Sequence, residues 1–249
     1  YNGNIFKLRE HTDRLLKSAS ILGFEIPYPA DDIDAACNEV CKVNRIVDGY
    51  VRPVAWRGSE MMGVSAQQNT IHLAIAAWPW PSYFSPEARM KGIRLKTSEW
   101  RRPAPETAPT DSKAAGLYMI CTMSKHAAEA EGYDDALMLD WRGQVAEATG
   151  ANIFLVFGDG KLHTPTPDCF LNGITRQTVI DLAEARGIEV IERPIMPEEL
   201  ADATEVFLTG TAAEVTPVGE IDDHKFTVGD ISRWMMDDYD RTVGKACGE

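Results

Sequence analysis

The sequence predicts an α/β (α+β) fold in two lobes, and three observations carry that reading. Strand and helix signals alternate along the chain with no internal repeat. The 249 residues, 44% of them apolar, can bury one large core or two modest ones. Pro79, Pro81 and Pro86 then break the pattern well before the midpoint, which places the connection between lobes in Phe84 to Gly92. The division is a smaller N-terminal α+β domain over 1–87, a linker at 88–93 and a larger C-terminal domain over 94–249.

In the first lobe, Leu15, Leu16, Ala19 and Leu22 recur at helical spacing in His11 to Gly23, and Asp31 to Asn44 reads as a second helix. Tyr50 to Trp56 and Thr70 to Trp78 read as strands. Ahead of them, Tyr1 to Phe6 looks like the tip and second strand of a hairpin turning at Asn2-Gly3, so the small domain is expected to lack its first strands. In the second lobe, Pro-rich Arg101 to Pro109 leads as extended chain into a helix that ends near Gly132. Strands follow at Ala136 to Asp140, Val145 to Ala148, Asn152 to Phe157 and Lys161 to Thr164. A helix (Thr175 to Arg186), strand (Glu189 to Ile191), helix (Pro197 to Ala201), strand (Glu205 to Thr209) and amphipathic helix (Ile231 to Val243) complete the chain.

Composition removes several functions. A formal net charge of -13 argues against nucleic acid, which needs a basic face to meet phosphate. Cys37, Cys41, Cys121, Cys169 and Cys247 are scattered, without zinc spacing or a disulfide framework, and read as reduced thiols in cytoplasm. The five histidines form no metal-binding cluster, so no metal is expected, and no apolar run of about twenty residues exists to span a membrane.

What remains centres on Pro109-Thr110-Asp111-Ser112-Lys113-Ala114-Ala115-Gly116-Leu117-Tyr118. Thr110, Asp111 or Ser112 can cap a helix start, placing Lys113 in its first turn. Ala114, Ala115 and Gly116 leave room for a flat ring near the backbone, and Tyr118 follows on nearly the same face. A helix N-terminus disfavours an adjacent ammonium, which should bring the lysine down from about 10.4 toward a nucleophilic amine. Two turns could hold an anion on backbone N–H groups: Asn172-Gly173-Ile174-Thr175-Arg176 at a helix start and Thr209-Gly210-Thr211-Ala212-Ala213 after a strand. Glu147 ends an apolar strand and could partner a protonated ring nitrogen. Read alone, each is ordinary: a solvated cation, a common turn, an edge carboxylate.

Together these phrases resemble the class IV pyridoxal-phosphate aminotransferases, most closely the branched-chain amino acid aminotransferases, essentially end to end. The likeness is carried by Glu10 to Leu15, Tyr50-Val51-Arg52-Pro53, Met62-Gly63-Val64, Lys113 to Tyr118, Glu147 to Asn152, Asn172 to Arg176 and Gly210 to Glu214. The resemblance implies a fold type IV architecture with a β-barrel-like sheet core in the larger lobe, and pyridoxal 5'-phosphate as cofactor. Lys113 would hold the cofactor covalently and shuttle the proton, and Glu147 would face the ring nitrogen. Arg14, with Ile174, Thr175 and Thr211, would bind phosphate; Tyr118 would sit near the ring oxygen and Leu171 on the ring face. Tyr50, Arg52, Trp80, Tyr83, Thr211 and Ala212 match substrate-pocket positions, and Gly63 and Val64 match a loop given to the neighbouring subunit of a homodimer or higher homo-oligomer. The implied reaction is transamination between leucine, isoleucine or valine and 2-oxoglutarate, with Arg52 reaching the second carboxylate of glutamate. Relatives within the fold act on D-amino acids or (R)-amines, or are aminodeoxychorismate-type lyases. Ala55 to Glu60 departs from the branched-chain pattern, and Arg57 there is expected to offer a second cation near the pocket.

Overall fold

The computed structural model describes residues 1–80 and 90–245. Tyr83, most of the expected inter-lobe connection and Cys247 lie outside the described residues. The chain divides into two compact units, Tyr1–Pro81 and Ser82–Glu249, each with its own core.

In the N-terminal unit, α1 (Leu8–Ile21) and α2 (Ala30–Val43) cover one face of an antiparallel pair, β1 (Tyr50–Arg57) and β2 (Ile71–Trp78). The period-two alternation of the strands explains this. Val51, Ala55, Leu73 and Ile75 pack with Ala19, Ile26, Ile33 and Cys37, while Arg52, Val54 and Trp56 point away. The strand expected before α1 is not formed. Asn2-Gly3 does turn, but the two amides donate to Asp48 Oδ1 (2.9 Å) and Val47 O (2.8 Å), and the chain then enters α1.

The C-terminal unit is a nine-stranded sheet closed upon itself. Its strands are β3 (Ile93–Arg102), β4 (Asp135–Asp140), β5 (Val145–Ala148), β6 (Asn152–Val156), β7 (Leu162–Thr164), β8 (Val190–Glu192), β9 (Glu205–Gly210), β10 (Glu214–Ile221) and β11 (His224–Lys225). Following the pairing through β3, β4, β5, β6, β9 and β10 returns to β3, so these strands form a ring. Leu95, Leu137, Ile153, Leu155, Val206, Leu208 and Val218 share one buried cluster within it. Helices α3 (Tyr118–Ala130), α4 (Ile174–Ala185) and α5 (Asp230–Thr242) accompany the sheet. Glu205, at the start of β9, accepts the Ile231 and Ser232 amides and so satisfies the open end of α5.

Three strands escape the sequence reading. Most of β3 is charged or polar, with only Ile93, Leu95 and Arg102 fully buried, so its apolar alternation is short. Pro217 and Gly219 interrupt the pattern of β10, where Pro217 sits in the ladder with β9. β11 spans only two residues. The helix expected over Pro197 to Ala201 is a 3₁₀ segment, Pro197–Asp202.

Gly92 opens β3 with φ +80°, and a Cβ there would stand 2.3 Å from the backbone nitrogen of Gly219 on β10. Gly92→Ala is therefore expected to destabilise the protein by about 2–4 kcal/mol, from left-handed strain plus displaced backbone. Urea titration of both proteins measures it; a loss under about 0.5 kcal/mol, the range of an ordinary surface substitution, contradicts the close approach.

Cys37, Cys41, Cys121 and Cys169 are free thiols. No helix among the described residues is long and apolar enough to cross a membrane.

Candidate active site

Lys113 precedes its helix instead of entering it. Tight turns close with Thr110 N–H on Ala108 O (2.8 Å) and Ser112 N–H on Pro109 O (3.0 Å). Ala114 is extended, a 3₁₀ turn covers Ala115–Leu117, and no side chain caps that turn, so the first-turn placement is corrected. Lys113 and Tyr118 nevertheless meet: Lys113 Nζ donates to the Tyr118 hydroxyl at 2.7 Å. The amine is exposed, as a group that must reach an incoming molecule has to be.

Glu147 lies near the end of β5 and is 8% exposed. Burial pushes its carboxyl up from 4.5 to about 7, opposed by the positive charges of Arg102 and then Lys113. One oxygen, Oε1, is 3.3 Å from Arg102 Nε, an ion pair without hydrogen-bond alignment. The other accepts Asn152 Nδ2 at 3.2 Å, and the same amide group donates to Leu171 O at 3.0 Å. Asn152 thus ties the acid to the loop bearing Leu171.

The two anion turns converge on the connection that follows Glu147. A Cβ on Gly173 would stand 2.2 Å from Asn152 Oδ1, and one on Gly210 3.3 Å from the Gly150 carbonyl oxygen. At the first turn, α4 begins at Ile174 with no side-chain cap, leaving its leading N–H groups for an outside acceptor. Ile174 and Thr175 are buried there, and Arg176, 1% exposed, anchors the turn through Asn172 Oδ1 (2.9 Å), Pro165 O (3.1 Å) and Glu192 Oε2 (2.6 Å). At the second turn, Thr211 and Ala212 occupy the β9–β10 hairpin tip, and the buried Thr209 hydroxyl just before it has no hydrogen-bond partner among the described residues.

The remaining expected residues belong to the N-terminal unit. Arg14 is half-buried on α1, its Nη2 3.2 Å from His11 Nδ1. Tyr50, Trp78 and Trp80 form an aromatic triangle with centroids 5.2–5.6 Å apart, and the Arg52 guanidinium lies 5.1 Å from the Tyr50 centroid and 5.6 Å from that of Trp78. Gly63 and Val64 sit in an exposed loop beside Met61 and Met62. Arg57 corrects another expectation: it donates to Leu22 O (2.8 Å) and Gly23 O (3.2 Å) and lies over Phe24, closing the C-terminal end of α1. Arg102 is the residue the sequence reading missed, whereas Asn152, Arg176 and Thr209 were quoted within their motifs without a role of their own. For Arg102 the visible signal was an arginine pair entering a Pro-rich loop, and it reads equally well as surface charge.

Glu147 sets a pH dependence in the cofactor-free protein. Its folded value is raised, so its stabilising share is complete below about 4.5 and is lost as pH rises through about 7. That share amounts to about 3 kcal/mol. Urea unfolding at pH 4.5 and 7.5 should show a smaller pH difference in Glu147→Gln than in wild type; equal differences would place the carboxyl in water.

A model of the amino-transferase class IV family matches residues 1–221. The chain is 43% identical over 252 residues to the probable branched-chain-amino-acid aminotransferase of Rickettsia conorii, covering 98% of this chain and 83% of that one. Among solved structures, the Thermoproteus uzoniensis branched-chain aminotransferase with norvaline superposes with a TM-score of 0.91 at 39% identity, covering 96% of this chain and 79% of that one. The branched-chain amino acid aminotransferase from Thermobaculum terrenum in its PLP-form gives 0.88 at 33% identity, covering 96% of this chain and 78% of that one. A family match over most of the chain, and relatives this similar over nearly all of it, show that the protein belongs to the class IV aminotransferases.

Proposed function

We propose that this aminotransferase uses pyridoxal 5'-phosphate to exchange the amino group between leucine, isoleucine or valine and 2-oxoglutarate. The residues suit that cofactor by their chemistry: an exposed amine for an aldehyde, a buried carboxylate for a ring N–H, and uncapped helix N–H groups near a buried hydroxyl that has no partner among the described residues, for phosphate oxygens. When bound, the cofactor supplies a ring that accepts the electron pair freed as the substrate's α-C–H bond breaks.

Lys113 carries the proton at Nζ, taking it from the α-carbon and returning it to the adjoining centre. The Tyr118 hydroxyl, accepting from Lys113 Nζ, holds the amine in one orientation. Glu147 would accept a hydrogen bond from the ring N–H. Thr175, Thr211 and the amides at the start of α4 would hold phosphate, and Arg14 matches the family's phosphate-binding arginine.

The observation that carries the substrate reading is Arg52 lying over Tyr50 and Trp78. One fixed cation among aromatic walls suits a surface that takes an apolar side chain from one substrate and a second carboxylate from the other. The exposed Met61, Met62 and Val64 suit burial against a second copy, so we read the active form as a homodimer or larger homo-oligomer. Free thiols fit the cytoplasm.

Amino-donor profiling with 2-oxoglutarate tests the assignment. Leucine, isoleucine and valine should react. Failure of all three alongside reaction of D-alanine or an (R)-amine would move the protein to another branch of the fold.

A further inference from the structure

We propose that Arg102 is a positioning residue: it holds Glu147 as an aimed carboxylate from behind, with Asn152 fixing the second oxygen, so that Glu147 can accept a hydrogen bond from a cationic ring N–H. The role rests on the cofactor reading above.

The geometry spans four neighbouring strands. Arg102 ends β3 opposite Asp140 of β4, Glu147 lies on β5 opposite Met138 of β4, and Asn152 opens β6 opposite Glu147. The guanidinium therefore reaches past β4 to place Nε 3.3 Å from Glu147 Oε1. It is 4% exposed, and its Nη1 donates to the buried Cys121 Sγ of α3 at 3.4 Å, so it is not a surface charge that happens to lie near an acid. A buried cation of this kind is retained where something needs its charge, since desolvating it is costly.

What it does follows from the opposing influences on Glu147. The charged and titratable groups around the site are Arg102 from β3, Lys113 from the segment before α3, the Cys121 thiol, itself raised by burial, and Asp135 of β4, whose charge also reaches that thiol. Burial alone drives Glu147 toward the neutral acid, which would present an O–H donor where the ring offers another donor. Of the two cations opposing that, Arg102 has the larger effect. Asn152 can only donate through Nδ2, and donation to Oε2 likewise favours the acceptor form.

The test reads Glu147 directly in cofactor-free protein. With carboxyl-labelled glutamate, NMR titration from pH 5 to 9 follows each side chain, and Glu147→Gln assigns the resonance. In Arg102→Met the Glu147 midpoint should rise by at least about one unit, a tenfold change in the ratio of acid to carboxylate. Arg102→Lys should restore most of the wild-type value. Once loaded with pyridoxal 5'-phosphate, the pH profile of visible absorbance should move in the same direction. If Arg102→Met does not fold, Arg102→Gln is read the same way. An unmoved midpoint in a protein that still takes up the cofactor sinks the Arg102 role alone. A wild-type protein that takes up none overturns the parent reading and this role with it.

Discussion

Lys113→Ala is expected to lower kcat/KM for leucine by at least about 10⁴-fold, the upper range for removing a positioned proton-transfer group. The loss should be larger than that if the covalent link also fails. Two features make the result interpretable. The side chain is exposed, so its removal should change stability by no more than about 0.5 kcal/mol. Its hydrogen-bond partner Tyr118 stays in place at the start of α3 and can be satisfied by water. A loss of activity with an unchanged urea midpoint would then be chemical. Wild-type protein loaded with pyridoxal 5'-phosphate should also absorb visible light and bleach with borohydride, and the variant should not. An unchanged spectrum in Lys113→Ala removes the lysine from the mechanism.

Arg52→Ala should separate the two halves of the reaction. A charged hydrogen bond contributes about 1.5–3 kcal/mol, so kcat/KM for glutamate and 2-oxoglutarate should fall by about 10- to 150-fold. Leucine brings no second carboxylate and should lose no more than about threefold, the cost of disturbed packing on Tyr50 and Trp78. Arg52→Lys should recover little, because a compact ammonium neither stacks on two rings nor presents a planar fork. Parallel losses for glutamate and leucine would give Arg52 a structural role.

The fold and site were legible where chemistry is local. β5, β6 and β9 announce themselves as compact apolar runs, α4 and α5 by helical spacing, and the two turns by glycine beside hydroxyl residues. Lys113 and Glu147 were each ordinary when read alone and could be named only because their motifs, taken with the others in order, carry the family resemblance. Arg102 could not. Its partner lies 45 positions along the chain, and only the register of β3 on β4 and of β4 on β5 brings them together. β10 was hidden for the opposite reason: its proline and glycine read as a loop until β9 and β3 occupy its flanks. Arg57 misled because charge is visible in a sequence, whereas the carbonyls of Leu22 and Gly23 that engage it are not.

Closure of the ring by β10 also bears on the order of assembly. Its pairing with β3 joins Ile93 to Val218, and its pairing with β9 forms the hairpin bearing Thr211, so this side of the barrel stays open until the last strands arrive. Contacts so distant in sequence make slow folders, because loop-closure entropy must be overcome before they form. During synthesis, a chain released only as far as β6 exposes strand edges that the finished protein has none of along this path. Lys113, proposed above to carry the proton, is thus made early, and the barrel beside it is closed only once β9 and β10 have arrived.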